Sequence, residues 1–399
     1  MNEWKEVSLS EMGKTITGKT PSSQHPEDFG DEMPFITPSD SFEKKYINKS
    51  DRFLSRSGSD RLKEKIISPN SIMVTCIGSA MGKVAKNSLS SVTNQQINSI
   101  IVNENFDSDY IYYLLKNNYA VLRNAASGST AIPILNKTDF DNLRFKVELN
   151  LNEQRKMVSI LSTIDDKIET NNQINQELEA MAKTLYDYWF VQFDFPDQNG
   201  KPYKSSGGKM VYNPELKREI PEGWGVESVG NLLDKVTKAE KIENNSIEFI
   251  GEIPVIDQSQ KYIAGFTNNE NAILQPQDGH VIFGDHTRVV KYINFDYARG
   301  ADGTQVLISN NENISNVLLY HMIEDFDLSN YGYARHFKFL KEKTVIVPDK
   351  EVSSKFETQA NVIYEKIKNN IFENQELTQL RDWLLPMLMN GQVKVEDKT

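Results

Sequence analysis

Cysteine is nearly missing from this sequence: Cys76 stands alone among 399 residues, so no disulfide can form within the chain and its cores must hold by packing. Cys76 sits in the apolar run 71–78, which predicts a buried structural thiol and not a nucleophile. Long apolar runs are missing too. None approaches the roughly 20 residues of a membrane span, and Met1-Asn2-Glu3-Trp4-Lys5-Glu6 has no signal-peptide apolar region. The expectation is a soluble, cytoplasmic protein without membrane contact. Net positive charge is absent as well: the balance is −11, with a pI near 5.2, and phosphate binding requires local positive potential. Counted regionally, residues 1–150 are neutral, with 18 Lys/Arg against 18 Asp/Glu. The acid excess lies beyond them, so a basic face in the first region is permitted.

What the sequence does have is repetition. Trp4 followed by Val7-Ser8-Leu9 matches Trp224 followed by Glu227-Ser228-Val229 at an offset of 220, which also carries Pro34-Phe35-Ile36 onto Pro254-Val255-Ile256. Ile67-Ser68-Pro69 matches Leu274-Gln275-Pro276 at an offset of 207. Each copy mixes short β-type runs such as Thr344-Val345-Ile346-Val347 with brief helical patterns such as Tyr110-Ile111-Tyr112-Tyr113-Leu114-Leu115. The expected fold class is α+β, with two duplicated α/β domains separated by two long helices. The expected bounds are 1–150 and 224–350 for the domains, 151–192 and 351–390 for the helices, 193–223 for a linker and 391–399 for a tail.

The helical segments align at an offset of 199. Alternating steps of four and three run through Met157, Leu161, Ile164, Ile168, Asn171, Asn175, Leu178, Ala182 and Leu185. The second segment gives Phe356, Ala360, Ile363, Ile367, Asn370, Asn374, Leu377, Arg381 and Leu384. Both seams place two asparagines at the same central steps. A seam Asn is costly unless paired and is a means of fixing register, so Asn171, Asn175, Asn370 and Asn374 are expected to set the register of an antiparallel coiled coil. At ~1.5 Å per residue, the stretch from Glu153 to Phe190 would extend roughly 57 Å, longer than one turn of B-DNA at about 34–36 Å.

Motifs of catalysis are not found. Gly78-Ser79-Ala80-Met81-Gly82-Lys83 is one residue short of a phosphate loop and puts Val84 where magnesium would need a hydroxyl, so it reads as a turn. The histidines His25, His280, His286, His321 and His336 show no metal-ligand spacing, and no Asp/Asn-Pro-Pro-aromatic tetrad for base methylation is present. Asp165-Asp166 reads as a solvated helix face. No catalytic or metal-binding residue is assigned. The densest basic tract of the first region is Lys44, Lys45, Arg52, Arg56, Arg61 and Lys63, with Lys65, interleaved with Tyr46 and Phe53. In the second region His286, Thr287 and Arg288 follow a strand-like run, and Tyr331, Tyr333, Arg335, His336 and Lys338 combine aromatic and cationic groups. These residue types suit base and phosphate contacts.

Several stretches together resemble the specificity subunits of Type I restriction-modification systems across essentially the whole chain. They are Thr93-Asn94-Gln95-Gln96-Ile97-Asn98, the helix opening Asn152-Glu153-Gln154-Arg155-Lys156, and Tyr188-Trp189-Phe190 leading to Phe195-Pro196. With them stand Gly200-Lys201-Pro202-Tyr203-Lys204-Ser205-Ser206-Gly207-Gly208, Ile220-Pro221-Glu222-Gly223-Trp224, and Gly284-Asp285-His286-Thr287-Arg288 with Gly300-Ala301-Asp302-Gly303-Thr304. The resemblance implies two target-recognition domains on double-stranded DNA, each reading half of a split asymmetric site, with the helix pair setting the spacer. It implies two modification (methyltransferase) subunits and restriction (endonuclease/translocase) subunits as partners, S-adenosylmethionine serving the former and ATP with Mg2+ the latter, and no cofactor for this chain. It also implies that Asn94 and Gln96 build the first domain rather than read bases. Two rivals remain open: a two-headed coiled-coil protein-binding scaffold, which would ignore DNA, and part of a self-contained nuclease-methyltransferase, which would bind S-adenosylmethionine by itself.

Overall fold

The computed structural model describes residues 4–125, 133–234, 236, 239–301, 303–332 and 335–395. They form two compact units, one of Met1–Glu169 with Asn374–Thr399 and one of Thr170–Glu373. Among the described residues, no helix is long and apolar enough to cross a membrane.

In the first unit the chain enters and leaves through adjacent strands. Trp4–Ser8 pairs antiparallel with Arg144–Glu148, from Trp4↔Glu148 to Ser8↔Arg144. Between them lie two five-stranded sheets. One runs Gly13–Thr17, Ile97–Val102, Ile72–Thr75, Val84–Asn87, Tyr46–Ile47; the other runs Phe29–Gly30, Phe53–Leu54, Met33–Ile36, Ser91–Thr93, Ile66–Ile67. Of the first sheet, Ile72, Val74 and Ile100 meet Leu9, Met12, Tyr110 and Leu114 in one core. Helix Ser108–Asn117 starts where Asp107 accepts hydrogen bonds from the Asp109 and Tyr110 amides. Beside it, buried Gln154 donates to the Glu148 carbonyl at 2.7 Å and accepts from the Asp107 amide at 2.8 Å, which fixes the start of the long helix Leu151–Tyr186. Cys76 is buried in this unit, and burial pushes its thiol up to about 12, which leaves it protonated and inert.

The second unit repeats the centre of this plan, with differences at the sheet edges. Gly225–Ser228 pairs antiparallel with Thr344–Val347 and so corresponds to Trp4–Ser8. Ile253–Ile256 lies parallel to Tyr297–Gly300, as Met33–Ile36 lies parallel to Ser91–Thr93. His280–Gly284 sits between Val290–Ile293 and Thr304–Ser309, as Ile72–Thr75 sits between Val84–Asn87 and Ile97–Val102. Helix Asn316–Ile323, capped by Ser315, takes the place of Ser108–Asn117. The duplication expected from the offsets is therefore present as topology. This unit has its own core, in which Trp189, Phe190, Trp224 and Phe356 form a chain of ring contacts. Trp189 and Phe190 reach it because the long helix ends in a π-helical turn, Asp187–Val191.

The second long helix, Lys350–Met389, runs antiparallel to the first. In the second unit the buried Asn370 amide donates to Asn175 Oδ1 at 2.8 Å, and Asn171 donates to Glu373 Oε2 at 2.7 Å. In the first unit Arg381 bonds Asp165 at 2.9 Å. Falling numbers on one helix meet rising numbers on the other, so the pairing is antiparallel, with Asn175 and Asn370 facing each other and Asn171 bonded to Glu373. Two details differ from the sequence expectation. Asp165 is not a solvated group: buried Tyr113 donates to it from Oη at 2.6 Å and the largely sheltered Arg381 pairs with it. The Arg381 step is thereby polar but satisfied, and beyond it the buried positions move to Leu385 and Leu388, which join the first unit's core.

Candidate nucleic-acid interface

In the second unit the strands His280–Gly284 and Val290–Ile293 are joined by a tight turn, and sequence-distant loops close around it. Asp285 is buried. Its amide donates to the Gly303 carbonyl at 2.7 Å, and its carboxylate Oδ1 accepts from the Phe337 amide at 2.8 Å. The Asp285 carbonyl accepts from both the amide and the ring Nδ1 of His336, each at 3.0 Å. A carbonyl only accepts, so Nδ1 carries the ring proton. Nε2 is then left buried without a hydrogen bond among the described residues. Gln258 holds the turn from the other side: its Oε1 accepts from the His286 amide at 3.1 Å and its carbonyl from Thr287 Oγ1 at 2.6 Å. At Gly303 φ is +71°, a backbone that favours glycine, and a side chain there would also push against the Gln258 amide.

The two polar stretches expected in this domain are thus one cluster. His286 and Arg288 project outward from the turn, with Arg288 in the left-handed region at φ 64°. Arg335 and Lys338 are exposed on the adjoining segment, where His336 is the buried anchor. Tyr331 stacks on Phe339 with ring centroids 4.0 Å apart. Tyr333 lies outside the described residues. Lys291 stands behind the cluster, buried, with its ammonium donating to the Asp257 carbonyl at 2.9 Å and to that of Lys261; burial lowers its pKa to about 8.

In the first unit the basic tract does not form one surface. Lys45 turns inward, where its Nζ bonds Asp109 at 3.0 Å and Ser162 Oγ at 2.9 Å beside the buried Lys86–Asp109 pair. Lys44 pairs with Glu169 at 3.3 Å. Both brace the long helix. The other four lie by the second sheet: Arg61 pairs with Asp28 at 2.9 Å, Arg52 stacks over Phe29 at 4.2 Å, and Arg56 and Lys63 are exposed. Asn94 is buried, its Nδ2 donating to Gln96 Oε1 at 3.0 Å and its Oδ1 accepting from the Gln96 amide at 3.1 Å. Both residues support a loop, as their resemblance to the family implied.

Residues 1–180 match the family model described as the Type I restriction modification DNA specificity domain. The chain is 27% identical to the Type I restriction enzyme MjaIX specificity subunit of Methanocaldococcus jannaschii over 431 aligned positions, covering 99% of this chain and 94% of that protein. Over its full length it resembles the specificity subunits of Type I restriction-modification systems, and its first 180 residues match their DNA specificity domain. A second relative, the HindI specificity subunit of Haemophilus influenzae, is 36% identical over 188 residues, 46% of this chain and 40% of that one. The fold is that of the crystal structure of the Type I system S subunit from M. genitalium, with a TM-score of 0.58 at 17% identity, covering all of this chain and 97% of that one. The matched domain and these relatives support sequence-specific DNA recognition within a Type I system. What sequence reasoning missed is the support: Gln258 and Gly303 were not singled out as site residues. The signal available was the pair of glycines at 284 and 303, which only the fold shows to be neighbours.

Proposed function

We propose that each unit reads one half of a split, asymmetric DNA site and that the paired helices set the unread spacer between the halves. The observation that carries this reading is the duplication itself: two units with separate cores and a shared central strand arrangement, of which the second displays a loop cluster rich in Arg, Lys and His. His286, Arg288, Arg335 and Lys338 contact the second half-site. Tyr331 and Tyr333 flank them. His336 and Thr287 hold the turn from within. In the first unit Arg52, Arg56, Arg61 and Lys63 contact phosphates, whereas Lys44 and Lys45 act through the helix they brace.

The chain itself catalyses nothing and takes no cofactor. Two modification subunits supply methylation with S-adenosylmethionine, and restriction subunits supply cleavage with ATP and Mg2+. An apolar groove of about 810 Å3 in the second unit supports the docking of a modification subunit on the helices; it is lined by Ala180, Met181, Leu185, Tyr188, Val362 and Ile363. Met181 and Val362 are exposed there. At the repeat offset of 199, Met181 and Thr184 correspond to Leu380 and Trp383, which are 44% and 58% exposed in the first unit. One such patch per copy fits two modification subunits per chain. The test is methylation mapping of host DNA with the assembled complex. A two-part motif with a fixed gap is expected, together with salt-sensitive binding that is weak until a modification subunit is added. A chain that ignores DNA in the assembled complex would sink the reading and revive the protein-binding scaffold.

A further inference from the structure

The turn that carries His286 and Arg288 has a counterpart in the first unit, and the match holds bond by bond. The Gly284 amide donates to the Val289 carbonyl at 2.8 Å, as Thr75 donates to Lys83 at 3.0 Å. The Arg288 amide donates to Gly284 at 2.8 Å, as Gly82 donates to Thr75 at 2.8 Å. The Asp285 amide donates to Gly303 at 2.7 Å, as Cys76 donates to Gln96 at 2.7 Å. Finally, the His336 amide donates to Asp285 at 3.0 Å, as Leu135 donates to Cys76 at 2.9 Å. The residues closing the two turns share the left-handed backbone, Arg288 at φ 64° and Gly82 at φ 91°. The turn of the first unit is the near-miss phosphate loop 78–83, three residues longer than its counterpart.

Around this turn the first unit gathers its own polar groups. Gln95 is exposed on the loop next to it, and Thr20 Oγ1 donates to Gln95 Oε1 at 2.6 Å, which orients the amide and leaves its two N–H donors outward. Buried Asn94 and its Gln96 partner hold that loop rigid from below. Arg123 reaches the turn from helix Tyr119–Asn124, with Nη1 2.9 Å from Tyr119 Oη and 3.4 Å from the Ser79 carbonyl. Lys83 follows the turn, 3.8 Å from Glu43.

We propose that this turn is the base-reading surface of the first domain, with Gln95 and Arg123 as its principal readers and Ser79 and Lys83 beside them, and that the basic tract serves phosphates alone. The inference rests on the reading of the second-unit cluster as a DNA contact. Turns built on the same hydrogen bonds present their outer residues in the same way. The first turn ends in Gly82 where the second has Arg288, so its cation is supplied by Arg123 from the neighbouring helix. An outward amide and a guanidinium are the groups that make bidentate contacts to purine edges.

The complex with its modification subunits, a duplex bearing the mapped two-part motif and a panel of single-base variants provide the test. Gln95→Ala and Arg123→Ala are each expected to lower affinity for the intact motif by roughly 5- to 150-fold, the range for one bidentate contact. They should relax preference at a position in one half only. Arg288→Ala should relax the other half, and Arg56→Ala with Lys63→Ala should weaken all duplexes equally. If the Gln95 and Arg123 variants, folded as judged by their melting, keep the parent preference at every position while Arg288→Ala relaxes its half, the inference is overturned and the functional reading stands. If none of these variants alters DNA binding, both fall.

Discussion

Asn370 and Asn175 face each other across the two long helices with a 2.8 Å hydrogen bond, at 1% and 9% exposure, and replacing one of them isolates the other. Asn370→Leu deletes a hydrogen bond and leaves the Asn175 carbonyl oxygen buried without a donor, a cost of about 1–3 kcal/mol. The added leucine recovers only part of that, since it packs against the polar Asn175 amide and gains less than the full burial of an aliphatic side chain. The single variant should therefore lose about 1 kcal/mol net, and Asn175→Leu a similar amount. With both replaced, no polar group is stranded and the seam becomes continuous through Ile367. The double variant should be more stable than the parent by about 1 kcal/mol, giving a coupling of roughly 3 kcal/mol, at the upper end for touching residues. Urea unfolding of the full chain, followed by tryptophan fluorescence at constant m-value, measures each corner of the cycle. Sedimentation reports whether the chain, its seam having lost this central Asn pair, now self-associates, as a seam with less of its polar register mark is expected to do. A coupling below about 0.5 kcal/mol would show that the asparagines are accommodated independently, and the register role assigned to them would be wrong.

Further predictions follow from other contacts. Asp109 is half-sheltered; burial acts to raise its carboxyl, but Lys86 and Lys45 outweigh that and hold it below the usual 3.8. Its contribution to stability is thus complete above the ordinary carboxylate range and lost as pH falls through the depressed value. Asp109→Asn should flatten that acid limb and, by stranding buried Lys86, cost about 3–5 kcal/mol at neutral pH in chemical denaturation. Arg288 holds a left-handed φ of 64°, so Arg288→Gly should stabilise the fold by up to ~1 kcal/mol while weakening DNA binding and relaxing sequence preference in the second half-site; a variant that binds as tightly and as selectively as the parent removes Arg288 from the interface. Phe356→Ala empties a fully buried site among Trp189 and Phe190 and should lower stability by about 3–5 kcal/mol. Met181→Glu with Val362→Glu should reduce the modification subunits bound per chain from two to one by native mass spectrometry, with unchanged thermal unfolding; retention of both would place the docking surface elsewhere.

The sequence by itself determined the elements whose cause is local or periodic. The seam spacing dictates a buried stripe through Met157, Leu161 and Ile164, because only a helix puts steps of three and four on one side. The matched asparagines suit an antiparallel pairing, because a buried amide needs a hydrogen-bonding partner and mid-length positions of such a pair lie opposite each other. The repeat offsets marked the units because corresponding strands keep their Pro and aliphatic positions under the same packing. Tertiary structure alone decided which polar residues share a surface. Lys45 and Arg56 belong to one basic tract in the chain, yet one is drawn inward by Asp109 and Ser162 while the other is exposed. Gln258, Gly303 and His336 come from three distant segments and meet at one turn through hydrogen bonds to backbone groups. Such bonds follow from where strands end, not from residue type, so no spacing in the sequence announces them. For the same reason the turn at 78–83, which reads as punctuation in the chain, stands in the fold where its twin carries arginine.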